Sequence, residues 1–324
     1  MMRRPLRVAS LAFAACFFLS VAQAATILDG VGDSSYTALG SSYSSSVGYI
    51  YETVGSTTYI GSGTVISATS SGVWVLTAAH VVDDSSASLS FTINGSKYSA
   101  SSYYWYSSVD NSNCTSSSVG DLGLVFISTA ISGVTAATLY TGSTSDLVGQ
   151  TATFVGYGNT GTGSTGSQSK TYGTLRAVQN VLDCTASTYD SGFSDSVLLS
   201  DFDSANFRGS DNTLYGVGSS ATPLSLEGLI AGGDSGGGVF VTIDGVEYLV
   251  GVNSYCLAID DRNANSDYGD MSGCVSICDY INWIEETTGL SFTTASVPEG
   301  STLSLLMAAC LTLGVYRRFL RRKA

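Results

Sequence analysis

Histidine is almost absent from the sequence: among 324 residues, only His80 carries an imidazole. A metal site built on several histidines is therefore excluded. A zinc site built on thiolates is also unfavourable, because Cys274 and Cys278 have no second cysteine pair at a comparable spacing. A lone histidine is more often structural than catalytic, so the residues around it must decide its role.

Proline and charged side chains are scarce as well. The chain has three prolines, and charged residues make up 12% of it, whereas glycine (37) and tyrosine (19) are frequent. Such a composition favours many short strands joined by turns and disfavours helices. The length is sufficient for a sizeable core in one large all-β domain or in two smaller ones.

Basic residues are few once the two ends of the chain are set aside. Eight of the 13 Lys and Arg residues lie in residues 1–24 and 293–324, so residues 25–298 keep five basic against 25 acidic residues, a net charge of −20. A domain with this charge repels nucleic acid and anionic membranes, and neither is an expected partner.

Residues 1–24 predict a secretory signal peptide. Three arginines precede an apolar stretch at residues 8–21, and the small residues Ala22-Gln23-Ala24 follow. The apolar stretch is short for a membrane-spanning helix. We therefore expect cleavage before Ala25 and export from the cytoplasm.

Residues 293–324 predict a sorting tail. Val297-Pro298-Glu299 precedes an apolar run at residues 303–316 and a basic end. As a helix the run spans roughly 21 Å, less than the roughly 30 Å of a bilayer core. The tail resembles the PEP-CTERM signal of Gram-negative bacteria, although Gly300 stands where that signal has a second proline. The resemblance implies processing by an exosortase, transient inner-membrane anchoring, and delivery to the cell surface or the exterior; a plain tail anchor is the alternative.

Cysteine usage agrees with export, since disulfide bonds form in oxidising compartments. Five cysteines remain between the two terminal segments, an odd number that leaves at least one outside an intramolecular pair. The possible pairings are Cys256 with Cys274 or Cys278, and Cys114 with Cys184.

Eight short apolar runs separated by Gly- and Ser-rich turns are predicted strands. They are residues 47–55, 59–67, 72–79, 88–95, 121–128, 151–158, 237–245 and 247–254. Asp244-Gly245 predicts a tight hairpin between the last two. The only helix predicted after residue 24 and before the tail is residues 278–289, ending at Gly289. Antiparallel barrels or a sandwich follow from this pattern.

Three polar residues stand in suggestive contexts. His80 ends Leu-Thr-Ala-Ala-His, and Asp121 heads the apolar run Asp-Leu-Gly-Leu-Val, where a partly buried carboxylate needs a partner. Ser235 lies in Gly-Gly-Asp-Ser-Gly-Gly-Gly, where the glycines allow a tight backbone path that presents the hydroxyl and nearby N–H groups. Each pattern is weak alone, and Asp121 by itself suits a turn or cap residue.

Together the three segments closely resemble the signature segments of trypsin/chymotrypsin-like serine proteases. The resemblance extends over about residues 45–289 through four further segments: SGTVIS, GYGNTGTG, LVGVNSY and YINWIEETTG. It implies two antiparallel β-barrels with a C-terminal helix, in a domain at residues 45–292 that follows a lead segment at residues 25–44.

The resemblance also implies a secreted serine endopeptidase that acts on protein or peptide substrates without a cofactor. Ser235 is the expected nucleophile, His80 the general base and Asp121 the residue that orients it. The backbone N–H groups of Gly233 and Ser235 are expected to form the oxyanion hole. A non-catalytic binding module on the same fold is the main alternative, and a structural matrix protein and an esterase are others.

The chain departs from the family pattern at its cysteines and at its activation site. Val81 and Ala231 replace two usual cysteines, and Gly238 replaces a common proline. Family members commonly insert a freed Ile or Val next to the Asp before the nucleophile, here Asp234. Cleavage before Ala25 leaves two residues ahead of Ile27, so either a second cut occurs or Asp234 has another partner.

The resemblance assigns substrate contacts to Leu229, Ser254, Tyr255 and Cys256. Leu229 stands where trypsin-like members carry a pocket Asp, which disfavours cleavage after Lys or Arg and favours apolar or small residues. Ser254 and Tyr255 are expected to pair with substrate backbone, and Cys256, at a usual Gly, to narrow the pocket.

Residues 259–270 raise the question of calcium. Asp261, Asn263, Asn265 and Asp267 alternate as oxygen donors, but the segment lacks the Gly and the Glu of a calcium loop. A solvated acidic loop is the preferred interpretation.

Overall fold

Short antiparallel strands make up most of the fold, which is given by a computed structural model. The structure describes residues 25–106, 120–206, 211–258 and 265–292. The predicted signal peptide, the predicted tail and Cys114 lie outside these ranges.

The described strands and helices follow one another with short connections, as their composition predicts. The strands are β1 (Thr26–Ile27), β2 (Val47–Val54), β3 (Thr57–Thr69), β4 (Gly72–Thr77), β5 (Ser88–Ile93), β6 (Ser96–Ser99), β7 (Ser102–Trp105), β8 (Gly123–Ile127), β9 (Thr151–Gly156), β10 (Thr160–Thr162), β11 (Gly166–Gln168), β12 (Arg176–Val181), β13 (Cys184–Thr185), β14 (Val197–Asp201), β15 (Gly228–Leu229), β16 (Gly238–Ile243), β17 (Val246–Leu257) and β18 (Met271–Ser276). The helices are α1 (Asp33–Ser41), α2 (Ala186–Tyr189) and α3 (Ile281–Thr288).

Two seven-stranded sheets form the two halves of the molecule. The N-terminal sheet has the order β6-β5-β2-β3-β4-β8-β7 and the C-terminal sheet the order β12-β9-β16-β17-β18-β14-β13, with antiparallel pairing throughout. Each sheet turns buried side chains such as Ile50, Leu76, Phe154 and Val250 inward. The predicted all-β architecture, two antiparallel half-barrels with a C-terminal helix, is confirmed.

Hairpin turns with positive backbone φ set the strand register. Asp244 and Gly245 have φ of 51° and 80°, which is the geometry of the predicted tight hairpin between β16 and β17. Asn94 and Gly95 form an equivalent turn between β5 and β6, with φ of 52° and 72°.

The expectation of a single helix was wrong, because α1 and α2 are also present. The α1 sequence, DSSYTALGS, is poor in strong helix formers, so tertiary contacts must stabilise it. Tyr36 is fully buried, and its hydroxyl donates to the Glu227 carbonyl at 3.1 Å. Gly40 lies so close to the Arg176 backbone that a Cβ would stand 2.8 Å from the Arg176 Cα.

Residues 25–44 are part of the fold and do not stand apart from residues 45–292. β1 pairs in parallel with β10 and antiparallel with β15. Arg176 also binds Asp33 at the start of α1, with 2.6 Å between Nε and Oδ1. The segment therefore completes the C-terminal half.

The four described cysteines form no disulfide bond with one another, so neither pairing considered for Cys256, with Cys274 or with Cys278, is present. Register explains it for Cys274: Cys256 lies opposite Ser272, whereas Cys274 lies opposite Asn253, beyond a β-bulge. Two residues of offset along a strand, about 6.6 Å, combine with the roughly 4.8 Å between neighbouring strands to separate the two Cα atoms by about 8 Å, beyond the usual reach of a disulfide. Cys278 follows β18 in a separate turn.

Four buried carboxyl groups organise the loop that leads into β15: Asp183, Asp201, Asp203 and Glu227. The Leu214 N–H donates to Asp201 Oδ2 at 2.6 Å, and the Asp203 and Leu224 N–H groups donate to Glu227 at 2.8 and 2.6 Å. Burial raises the pKa of Glu227 to about 8.

The buried carboxyl groups of Asp183 and Asp201 interact directly with one another. Asp201 Oδ1 is buried and, among the described residues, receives no hydrogen bond from an N–H or hydroxyl group. Two ionised carboxylates in contact repel one another, so protonation of one of the two groups is favoured, and a proton on Asp183 would give Asp201 Oδ1 a donor. Burial raises the pKa of both groups above the usual range.

We predict that this pair makes the fold less stable as the pH rises. A carboxyl whose pKa is raised by folding favours the folded state below its unfolded pKa, near 3.8, and that stability is lost as the pH rises through the folded value. Urea unfolding should show the free energy of unfolding falling by roughly 1 to 3 kcal/mol between pH 5 and about 8. Asp183→Asn, whose amide donates permanently, should flatten the slope. An unchanged slope, equal to that of the exposed Asp146→Asn control, contradicts the prediction.

Candidate active site

His80 and Asp121 meet where two neighbouring strands of the N-terminal sheet end. β4 stops at Thr77, and a short 3-10 turn, Ala79–Val81, carries His80. Asp121 lies just before β8, the strand that pairs with β4. The His80 N–H donates to Asp121 Oδ1 at 3.0 Å, and His80 Nδ1 lies 2.8 Å from Asp121 Oδ2. The carboxylate therefore holds both the backbone and the ring of His80.

Asp121 is nearly inaccessible to solvent and is surrounded by donors. Its side chain is 1% exposed, against 17% for His80. Ser254 Oγ donates to Asp121 Oδ2 at 2.5 Å from β17 of the other sheet. Sequence analysis assigned Ser254 to substrate backbone and missed this contact, which links the two halves of the fold.

The charges of the site stabilise an imidazolium. Burial alone lowers the pKa of His80, but the Asp121 charge and hydrogen bond, together with Asp83 and Glu52, raise it above the usual 6.5. Burial acts to raise the pKa of Asp121, but His80 and the hydrogen bonds outweigh this and lower it below 3.8. With Nδ1 facing the carboxylate, Nε2 is the ring nitrogen left for proton exchange.

Ser235 lies in a tight turn pressed against the strand end that leads to His80. Gly233 has φ of 101° and Gly236 φ of 85°, conformations that suit glycine. A Cβ on Gly236 would stand 3.0 Å from the Ala78 nitrogen. Within the described residues, the Ser235 hydroxyl and the His80 ring form no direct hydrogen bond; the segments that carry them meet at this contact between Gly236 and Ala78.

The predicted oxyanion donors lie on the same turn. Across the described residues, the N–H groups of Gly233 and Ser235 donate to no protein acceptor. The Asp234 carbonyl between them accepts from the Gly237 N–H at 2.8 Å and from Asn253 Nδ2 at 3.2 Å. The turn can therefore offer two N–H groups to a developing negative charge.

Ser62 is a residue that sequence analysis did not single out. It is fully buried on β3, within the segment SGTVIS. Ser62 Oγ donates to the Gly233 carbonyl at 2.8 Å, and the Ser62 N–H donates to the Ser235 carbonyl at 2.8 Å. SGTVIS carries part of the resemblance, but nothing in that segment assigns a role to its first serine.

Asp234 has backbone partners. It is 3% exposed and accepts the N–H groups of Gly158 at 3.3 Å and Ala231 at 3.4 Å. The backbone of Ala25 also donates to it, and burial nevertheless raises its pKa to about 6. Ile27, the other expected partner, lies in β1.

Two of the predicted substrate-contacting residues, Leu229 and Cys256, lie in or against the segment that precedes Ser235. Leu229 is 1% exposed and packs with Leu28 and Phe202. Tyr255 lies across Gly273, and the Cys256 thiol donates to the Ile230 carbonyl at 2.8 Å.

No group of three His, Cys, Asp or Glu side chains within the described ranges could hold a metal ion. The candidate calcium segment falls partly outside these ranges, at residues 259–264. No helix in the described part of the chain is long and apolar enough to span a membrane.

Comparison with known proteins identifies the fold and the family. Residues 61–252, more than half of the chain, match the family described as trypsin-like peptidase domain. A solved structure of HL collagenase shares the fold, with a TM-score of 0.52 and 20% identity over 79% of this chain and 97% of that one. Neuropsin, a serine protease of mouse brain, aligns with a TM-score of 0.49 and 17% identity over 74% of this chain and 93% of its own. No curated protein matches the sequence significantly.

Proposed function

The chain belongs to the trypsin-like peptidase family, and we propose that it is a serine endopeptidase that uses Ser235, His80 and Asp121. The observation that carries the proposal is the 2.8 Å contact between His80 Nδ1 and the buried Asp121 carboxylate, next to the turn that bears Ser235. A non-catalytic binding module on the same fold does not need these three side chains to be brought together. An enzyme therefore explains the geometry better.

The mechanism follows from the proton balance of the site. Ser235 Oγ attacks the peptide carbonyl carbon while His80 Nε2 takes the hydroxyl proton, and the carbonyl electrons move onto oxygen. The N–H groups of Gly233 and Ser235 stabilise that oxyanion. Collapse of the tetrahedral intermediate breaks the C–N bond, and the leaving amine takes the proton from His80. Water then attacks the acyl-enzyme while His80 takes a proton from it. The C–O bond to Ser235 breaks, and Ser235 Oγ takes that proton back from His80. Asp121 stabilises the imidazolium throughout.

The surroundings of the predicted pocket support small or apolar residues before the scissile bond. Leu229 brings no charge, and Glu227, two positions before it in the sequence, is buried and held by backbone N–H groups. The Cys256 thiol reaches across to the Ile230 carbonyl and occupies space that a glycine leaves open. A Lys or Arg side chain finds no counter-ion among these residues.

The two terminal segments support a role outside the cytoplasm. The features of residues 1–24 favour export, and those of residues 293–324 favour surface delivery with removal of the tail by an exosortase. We propose a Gram-negative cell-surface or extracellular protease without a cofactor, acting on protein or peptide substrates.

We predict that activity depends on the Ser235 hydroxyl. The purified protein should react with a fluorophosphonate and cleave members of a mixed peptide library, and Ser235→Ala should do neither, because the nucleophile is gone. No adjacent hydroxyl can substitute for it, since Asp234 precedes Ser235 and Gly236 and Gly237 follow it. A folded wild-type protein that neither reacts nor cleaves contradicts the proposal and favours a binding module.

Cys256 is predicted to restrict the residue before the scissile bond. Cys256→Gly should raise kcat/KM for a Phe or Leu peptide amide relative to the Ala amide by about ten- to hundred-fold, because a pocket contact of one small group discriminates by this amount. Cys256→Ala, which keeps the Cβ, is the matched control and should give a smaller change. Equal preferences in all three proteins would mean that Cys256 does not line the pocket.

Cleavage before Ala25 is predicted to strengthen the contact with Asp234. The new α-ammonium adds a positive charge beside the buried carboxylate and should lower its pKa from about 6. A chain that begins at Ala25 should be more active and have a higher Tm than one that retains Gln23 and Ala24. Asp234→Asn should remove the difference. Equal activity and Tm for both chain starts would show that no such pair forms.

A further inference from the structure

Ser62 connects the sheet that carries His80 and Asp121 to the turn that carries Ser235. All of its polar backbone and side-chain groups are engaged: its N–H donates to the Ser235 carbonyl, Oγ donates to the Gly233 carbonyl, and its own carbonyl accepts from Thr77 Oγ1, each at 2.8 Å. Ser62 Oγ also accepts from the Tyr157 N–H at 3.0 Å. We propose that Ser62 is a positioning residue that holds the oxyanion turn in its active geometry; this inference rests on the proposed function.

Hydrogen bonds to three successive carbonyls fix the orientation of the turn, and Ser62 makes two of them. The Gly233 and Ser235 carbonyls bind Ser62, and the Asp234 carbonyl between them binds the Gly237 N–H and Asn253. Because the C=O and N–H of one trans peptide point in opposite directions, anchoring the Asp234 carbonyl aims the Ser235 N–H away from the protein body. Through the Gly233 and Ser235 carbonyls, Ser62 fixes the two peptides that flank the Asp234–Ser235 peptide.

Gly233 is the flexible point of the turn. Its φ of 101° suits glycine, and a Cβ there would stand 2.8 Å from the Gly158 Cα, so no larger residue fits. Glycine lacks the side chain that normally limits backbone rotation. The hydrogen bond from Ser62 Oγ to the Gly233 carbonyl restricts this rotation, and with it the direction of the neighbouring N–H groups.

The position of Ser62 favours a catalytic consequence over a purely structural one. It is fully buried on β3, opposite Tyr49 of β2, and its chain neighbour Gly61 packs on Val81 beside His80. A shift of Ser62 therefore changes the spacing between the general base and the nucleophile turn. Thr77, which donates to the Ser62 carbonyl, is the last residue of the strand that leads to His80.

Ser62→Ala tests the proposal by removing one oxygen atom and leaving the backbone hydrogen bonds. We expect kcat to fall by about ten- to hundred-fold with KM unchanged, somewhat less than the ~100- to 1,000-fold that follows loss of an oxyanion donor. The affinity for a peptide aldehyde, which forms a tetrahedral adduct with Ser235 Oγ, should fall by the same factor. Ser62→Cys, with a weaker donor, should be intermediate and serves if Ser62→Ala does not fold.

Thr64→Val is the matched control. Thr64 is buried two residues further along β3, and its hydroxyl has no partner among the described residues. Hydrogen exchange of the backbone amides at residues 231–237 gives a readout that needs no activity, and it should quicken in Ser62→Ala and not in Thr64→Val. If the wild-type protein cleaves no peptide, the proposed function fails while the exchange comparison still decides the role of Ser62. If Ser62→Ala matches Thr64→Val in exchange, kcat and aldehyde affinity, the inference is overturned.

Discussion

A buried carboxylate must be surrounded by donors, and the arrangement of this molecule depends on meeting that requirement at Asp121. Its side chain is 1% exposed and receives hydrogen bonds from the His80 backbone, the His80 ring and Ser254. An uncompensated charge at this depth would destabilise the fold by several kcal/mol. Since the donors come from both sheets, the condition that stabilises the carboxylate also brings the two halves together around the imidazole.

The second contact between the halves is made of backbone. Gly236 lies against Ala78, and Ser62 reaches the carbonyls on both sides of Asp234. These contacts need close approach, which explains why glycine occupies the turn. No disulfide joins the described cysteines to one another; the contacts described here between the two halves are hydrogen bonds and close packing.

Sequence reasoning reached the fold because strand and turn patterns are local signals, and it reached the His80–Asp121 pair because the segments around both residues resemble signature segments of one family. The eight predicted strands are present, and Gly289 ends α3 with φ of 70°. The features that sequence reasoning missed depend on long-range contacts. Helix α1, for example, is stabilised by the contacts that Tyr36 and Gly40 make with residues far away in the sequence. The sequence left the cysteine pairing open because strand register, which places Cys256 opposite Ser272, cannot be read from spacing. Ser62 gives no signal, since its role comes from contacts with Tyr157 and Gly233, which lie 95 and 171 positions away.

The pairing of β1 has a consequence for the order in which the chain acquires its structure. Thr26 and Ile27 pair with residues 161–162 and 228–229. The first described strand therefore cannot pair until these residues, which are synthesised much later, are available. Contacts between residues this far apart in sequence form slowly, because a long loop must close before they are made. The early segment therefore docks only after most of the chain is available, and until then its apolar residues stay open to proteases or to association with other chains. Docking of β1 is thus expected late in folding, and it brings Ala25 to Asp234, the residue before Ser235.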